Sequence, residues 1–201
     1  IAPKDKDPPS TIQTSLKGTV TDKSNAIPWG DKLIKKTGNI LRIGCRNIHH
    51  LPQFSNHSKN QEIISDIKDA EIDILGLSEI NLDWRLLPHQ DQLSNRWKGS
   101  FRQQRISVAQ NTKDAPFEKT QYGGNAMISQ GELSQRLTAQ GKDPKGLGRW
   151  VSQSFQGKVN KSLTVFSVYR PVKALGVSTT YQQQCRSLLS ENNDTCPREM
   201  F

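Results

Sequence analysis

Asp73-Ile74-Leu75-Gly76-Leu77-Ser78-Glu79 is the stretch that decides the fold. Ile72, Ile74, Leu75 and Leu77 leave it no polar face, the pattern of a strand covered on both sides. Directly upstream, Ile63, Ile64, Ile67 and Ala70 recur at helical spacing. A helix over about 60–70 is therefore predicted to feed a strand over about 72–79. That strand ends on a carboxylate, which is costly to desolvate unless a cation or a donor meets it. The plain alternative is that Glu79 opens a solvated loop.

Two further segments end in the same way. Leu41, Ile43 and Cys45 alternate with Arg42, Gly44 and Arg46, which predicts a strand over about 40–48 with one buried face. Cys45 would sit on that face as a buried thiol, and Asn47 follows at its end. Leu163-Thr164-Val165-Phe166-Ser167-Val168-Tyr169-Arg170-Pro171 is β-branched and aromatic, and Pro171 stops it. Three strands thus terminate in Asn47, Glu79 and Tyr169-Arg170. Strand ends and their loops are where sites are commonly built. Other strands are expected near 101–109, 124–130 and 148–157, with 81–97 helical or irregular. Residues 131–148, rich in Gly and Lys, read as a surface excursion. Thr179–Leu189 reads as a helix with Tyr181, Cys185 and Leu188 along one face, ended by Asn192-Asn193-Asp194. Together these elements predict an α/β sandwich of two packed sheets with helices outside.

The order of the segments carries a resemblance. Cys45-Arg46-Asn47-Ile48-His49-His50 is followed by Leu77-Ser78-Glu79. Next come Tyr122-Gly123-Gly124-Asn125-Ala126-Met127-Ile128-Ser129 and Val168-Tyr169-Arg170-Pro171. Over about residues 39–171 this resembles the endonuclease/exonuclease/phosphatase superfamily, the DNase-I-like metal-dependent phosphodiesterases. More closely, Ile74–Asn81 and Gly146-Leu147-Gly148-Arg149-Trp150 are similar to a lineage of such domains in mobile-element-like open reading frames of algae and other protists. The resemblance implies an α/β (α+β) fold, the four-layer α/β sandwich of DNase-I-like type, here incomplete at its C-terminal end. The chain also departs from the pattern. His50 stands where the family has a glycine, and neither a Gly-Asp-Phe-Asn block nor a Ser-Asp-His block follows Pro171. The expectation is a fragment holding the N-terminal part of the domain.

For chemistry, the resemblance makes Glu79 a ligand of Mg²⁺ (or Mn²⁺), a hard cation that takes few carboxylates and keeps several waters. Asn47 would share that metal site or contact phosphate, a catalytic role. Tyr169 would be catalytic by hydrogen-bonding the phosphate or steering the nucleophile. Arg170 would add a phosphate contact, against the plainer reading of a surface arginine. His49 and His50, adjacent on an extended chain, point to opposite sides and cannot share an ion easily. They read as loop histidines, or as groups reaching a substrate phosphate. The family's general base and its histidine lie in the missing blocks. The expected function is a fragment of a divalent-metal-dependent phosphodiesterase, an endonuclease acting on nucleic acid and inactive as this chain alone. The alternative is a non-catalytic basic nucleic-acid-binding module or a decayed mobile-element relic.

Charge is an independent argument. The net charge is +9, and residues 101–170 carry 11 Lys and Arg against 4 Asp and Glu, a net +7. Trp97, Phe101, Trp150 and Phe155 interleave with that excess, which suits a polyanion. Arg102, Arg105 and Lys158, with Arg170, are the candidate nucleic-acid contacts. Taken with the resemblance, this charge makes nucleic acid the expected partner over an inositol phosphate or a lipid, and DNA over RNA. A solvated basic surface over core aromatics is the bland alternative.

Residues 1–38 open with Ile1-Ala2-Pro3-Lys4-Asp5-Lys6-Asp7-Pro8-Pro9-Ser10 and read as a polar, disordered N-terminal segment ahead of a domain over 39–201. The first residue is not Met, so the true N-terminus is expected to lie further upstream. No run of about 18 apolar residues exists, so no membrane partner is expected. Cys45, Cys185 and Cys196 lack metal-ligand spacing. Their odd number argues for a reducing intracellular compartment, nuclear or cytoplasmic. Oligomeric state has no signature here.

Overall fold

The computed structural model describes residues 33–38, 40–54, 57–101, 103–112, 121–177, 179–191 and 196–199. The chain divides into two units, Ile1–Lys35 and Lys36–Phe201. All described secondary structure belongs to the second. The tail expected at 1–38 lies, through residue 32, outside the described residues, as do Arg102 and the helix terminator at 192–194.

Among the described residues seven strands form two sheets. Sheet 1 has the order β1-β2-β4-β3, from β1 (Ile43–Asn47), β2 (Ile74–Ser78), β3 (Gln104–Ala109) and β4 (Asn125–Gln130). β1 and β2 are parallel, joined by the crossover helix α1 (Ser58–Asp69), and the other pairs are antiparallel. Sheet 2 is the antiparallel set β5 (Leu137–Lys142), β6 (Trp150–Gln156) and β7 (Ser162–Val168). Short helices α2 (Leu93–Arg96) and α3 (Gly131–Gln135) lie in connections, and α4 (Thr180–Ser190) follows β7. The segment read as a surface excursion is therefore partly strand. Thr138, Ala139, Gln140 and Gly141 give no apolar alternation, as suits the edge strand β5. Gly141 is needed there, since a Cβ would lie 2.6 Å from Ser152 Oγ and 3.2 Å from the Trp150 ring.

β2 is covered on both faces, as its sequence requires. Leu75 and Leu77 join Ile63, Ile64 and Ile67 of α1, with Ala126, Ile128 and Trp97, in the larger core outside sheet 1. Ile74 faces the other way and packs with Met127, Ala109, Val151 and Phe155 between the sheets. Among the described residues five buried apolar side chains form that inner cluster, with Leu133, Leu137 and Val165 packed against it, and polar contacts supplement it. Gln153 and Gln140 both donate to Ser107 Oγ, at 2.9 Å and 2.7 Å. Gly76 lets β7 approach β2, because a Cβ there would meet Ser167 Oγ at 2.8 Å.

β1 corrects the sequence reading. Its period of two is right, but the face assigned to the interior is exposed. Ile43 is 52% exposed and Cys45 is exposed, so the predicted buried thiol is not buried. The reason is position. β1 is an edge strand of sheet 1 and β7 an edge strand of sheet 2, and nothing described covers the gap between them. A cleft of about 540 Å³ opens there, lined by Ile43, Cys45, Asn47, Ser78, Phe166 and Val168 among others. The polar side of β1 is the one that pairs: Arg46 reaches Glu62 and Asp66 of α1.

Candidate active site at the ends of β1, β2 and β7

Beyond the last paired residues of β1 and β2 the two chains stay in step. Ile48 N–H donates to Ser78 O at 3.0 Å, His50 to Glu79 O at 2.8 Å, and Leu51 to Ile80 O at 2.9 Å. Four residues of these paired loops lie in the left-handed region: His49 (φ 41°), His50 (79°), Glu79 (56°) and Asn81 (51°). Left-handed backbone is unfavourable for residues with a Cβ, at roughly 1–2 kcal/mol each, and strain of this kind clusters at functional sites. The tight turn that glycine would make easily is thus made with His50.

The third element is the Gly123-Gly124 turn before β4. Asn81 clamps it from both sides, donating its N–H to Gly123 O at 2.8 Å and accepting from Gly123 N at 2.7 Å through its side chain. Gly148 packs against this turn, and a Cβ on it would lie 3.0 Å from Gly124 Cα and 2.8 Å from Asn111 N. Its carbonyl accepts from buried Asn125 Nδ2 at 2.7 Å. Next to it, Arg149 O accepts the Tyr169 N–H at 2.8 Å. The end of β7 is thereby tied to the loop before β6.

These ties gather Asn47, Glu79 and Tyr169 at one point. The Glu79 carboxylate accepts hydrogen bonds from the Tyr169 and Asn47 side chains and meets the His49 ring, with Nδ1 3.2 Å from Oε2. Asn47 Oδ1 is engaged on its other side, accepting His49 N–H at 3.0 Å. Burial pushes the Glu79 pKa up, but the donors Tyr169, Asn47 and His49 outweigh it and hold the carboxyl below its usual range. Glu79 is therefore an anion at neutral pH, its side chain 18% exposed. Tyr169 is displaced the other way: burial, the hydrogen bond to Glu79 and its charge all keep the phenol protonated. His49 was read as a loop histidine and its contact with Glu79 was not foreseen. Adjacency to Asn47 on a strand-end loop was its only signal. His50 turns elsewhere, Nδ1 3.1 Å from Asn81 O, so the two histidines do not share a site.

The other candidate contacts are dispersed. Arg170 follows Tyr169 and is exposed. Arg105 is level with Ser129 and so with Ile74, at the start of β2, two strands away. That places it about 15 Å along and about 10 Å across from the end of β2. Lys158 lies in the β6–β7 turn, roughly 25 Å of strand from Tyr169. Arg102 lies outside the described residues. Of the three described residues, only Arg170 adjoins the Glu79 cluster, next to Tyr169 in the chain.

Among the described residues no group of three or more His, Cys, Asp and Glu side chains could hold a metal, and no second carboxylate acts on Glu79. Mg²⁺ nevertheless binds through one or two carboxylates with waters retained. An ionised, part-exposed Glu79 beside the Asn47 amide fits that minimal donor set. No helix among the described residues is long and apolar enough to cross a membrane.

The fold defined here is a mixed sheet packed on an antiparallel sheet, with a polar cluster at the strand ends. No protein-family model matches the sequence, and no curated protein matches it. Among solved structures, the chain is similar to an AP endonuclease from Archaeoglobus fulgidus. The two share 17% identity at a TM-score of 0.43, over 75% of this chain and 49% of that one. It is also similar to an endonuclease/exonuclease/phosphatase family protein from Leptotrichia buccalis C-1013-b. Identity is 13% and the TM-score 0.46, over 78% of this chain and 62% of that one. The chain thus spans about half to three-fifths of the length of these two.

Proposed function

We propose that this chain is the metal-holding and phosphate-gripping part of a DNase-I-like, divalent-metal-dependent phosphodiesterase, an endonuclease acting on DNA in preference to RNA. The observation that carries the reading is the Glu79 carboxylate, held ionised at a strand end by Tyr169, Asn47 and His49. Glu79 and Asn47 would hold Mg²⁺ or Mn²⁺. The ion, when bound, would neutralise phosphoryl charge and acidify a water. Asn47 orients Glu79 and the His49 loop. Tyr169, kept protonated, presents a hydroxyl donor beside the anion, and exposed Arg170 offers a guanidinium to a phosphate oxygen.

The chain alone is proposed to be inactive. Among the described residues nothing covers the edges of β1 and β7, and Ile43 and Val168 are about half exposed, which supports an arrangement that further polypeptide completes. A basic nucleic-acid-binding module, or a mobile-element relic, is the second reading. The separation of Arg105 and Lys158 from Glu79 favours it. Mn²⁺ titration of the 201-residue chain, followed by electron paramagnetic resonance, tests the first reading. Saturable binding lost in Glu79→Gln is expected, and no binding, or binding that survives the substitution, overturns it. A longer reading frame assayed for nicking of plasmid DNA, with Mg²⁺ and with EDTA, then tests the reaction.

A further inference from the structure

Cys185 lies on α4 one turn after Tyr181, so the two are i, i+4 neighbours on one helix face. Cys196 opens the short turn Pro197–Glu199, accepting the Glu199 N–H at 2.8 Å, and that turn packs on α4. Tyr181 joins the two. Its side chain is buried, its hydroxyl is 3.5 Å from Cys196 Sγ, and Cys185 acts on it from the same helix face. Tyr181 thus touches the sulfur of the turn and stands one helical turn from the sulfur of α4. Both thiols are free and partly exposed, within reach of a small oxidant.

We infer that Cys185 and Cys196 form a reversible disulfide that fastens the Pro197–Glu199 turn to α4. The Pro197–Glu199 turn packs on α4 and Tyr181 already meets Cys196 there, so the pair is brought toward the span of about 4.4–6.8 Å between Cα atoms that a disulfide bridges. Cys196 is the attacking group. The Tyr181 hydroxyl and the Arg198 N–H stabilise its thiolate and lower its pKa, while the Tyr181 phenol is pushed up. With a small disulfide such as oxidised glutathione, the Cys196 thiolate attacks one sulfur, the S–S bond breaks and one glutathione thiolate leaves. The Cys185 thiolate then attacks the mixed disulfide at Cys196 and expels the second. The protein loses two electrons and two protons, and the glutathione disulfide, gaining both, becomes two thiols.

The test is to incubate the 201-residue protein with oxidised glutathione, block remaining thiols with a maleimide, digest it and map the peptides by mass spectrometry. A Cys185–Cys196 cross-link, lighter by two hydrogens and reversed by dithiothreitol, is expected, with the exposed Cys45 serving as the unpaired reference. Separate glutathione adducts on Cys185 and Cys196 without the cross-link would overturn the pairing. In Cys185→Ser, Cys196 should stop at the mixed disulfide. Tyr181→Phe should keep the cross-link but form it several-fold more slowly at neutral pH. An unchanged rate would remove the phenol from the mechanism. Tryptic cleavage after Arg198 should slow several-fold on oxidation, and an unaltered rate would sink the fastening.

Discussion

Arg149 closes on Asp143 with two nitrogens, Nε at 2.9 Å from Oδ2 and Nη2 at 3.1 Å from Oδ1, and both side chains are almost wholly buried. The Lys145 and Arg149 N–H groups also donate to that carboxylate, at 3.0 Å and 3.2 Å. The Arg149 carbonyl in turn receives Tyr169 N–H. A buried ion pair thus shapes the loop on which the candidate catalytic tyrosine hangs. Asp143→Ala would leave a buried guanidinium without its carboxylate, at a cost of about 3–5 kcal/mol. Urea unfolding of the variant should show that loss, and a change below about 1 kcal/mol would refute the role given to the pair.

The same carboxyl sets an acid limit. Burial raises the Asp143 pKa, but the hydrogen bonds and charge of Arg149 outweigh it, so the folded value lies below the ordinary 3.8. A depressed carboxyl contributes stability that is full above the unfolded pKa and lost as pH falls through the folded one. Wild-type stability should therefore drop below about pH 4 by more than that of Asp143→Asn, whose acid limb lacks this contribution.

Glu79 and Tyr169 should shift each other reciprocally. Removing the hydroxyl in Tyr169→Phe deletes a donor to the carboxylate, so the Glu79 pKa should rise. Removing the charge in Glu79→Gln should bring the Tyr169 phenol down toward 10. Carbon-detected NMR titration of Glu79 and ultraviolet phenolate titration of the tyrosines measure the two arms. Movement in neither would separate the residues and dissolve the candidate site.

How much of this was legible beforehand depends on which force sets each feature. β2, α1 and α4 follow from apolar spacing, because their partners lie on both sides or along one stripe. Asn47, Glu79 and Tyr169 could be marked as strand-end residues. Their convergence depends on left-handed turns at His49, His50, Glu79 and Asn81, for which non-glycine residues give no sequence signal. β1 misled because alternation reports a face and not what covers it. β5 was missed because an edge strand of Thr, Ala, Gln and Gly carries no apolar period. The Asp143–Arg149 pair had one faint sign, opposite charges six residues apart across Pro144, Gly146 and Gly148.

His50 gives a prediction in the neutral range. Burial lowers its pKa most, Lys59 and His49 lower it further, and the Asn81 carbonyl opposes them only in part. The folded protein then binds fewer protons than the unfolded chain between the folded value and 6.5. Stability is full above 6.5 and declines as pH falls through that window. His50→Asn keeps a residue tolerant of left-handed backbone and removes the titration. Its melting temperature should be flatter between pH 7 and pH 5 than that of the wild type, and equal slopes would mean that His50 protonates without cost.

Arg170 and Lys158 separate the site from the bulk charge. Each is exposed and cationic, but only Arg170 adjoins Tyr169, while Lys158 sits in the turn at the far end of β7. Each phosphate contact contributes about 0.9 to the slope of log affinity against log salt on duplex DNA. If nucleic acid lies across the Glu79 cluster, Arg170→Ala should reduce that slope by about 1 and weaken binding, and Lys158→Ala should leave both unchanged. Fluorescence anisotropy of a labelled duplex from about 50 to about 200 mM salt distinguishes the cases. The reverse result, with Lys158 carrying the slope, would place the polyanion on the basic end of the sandwich. It would thereby favour a binding module over an endonuclease.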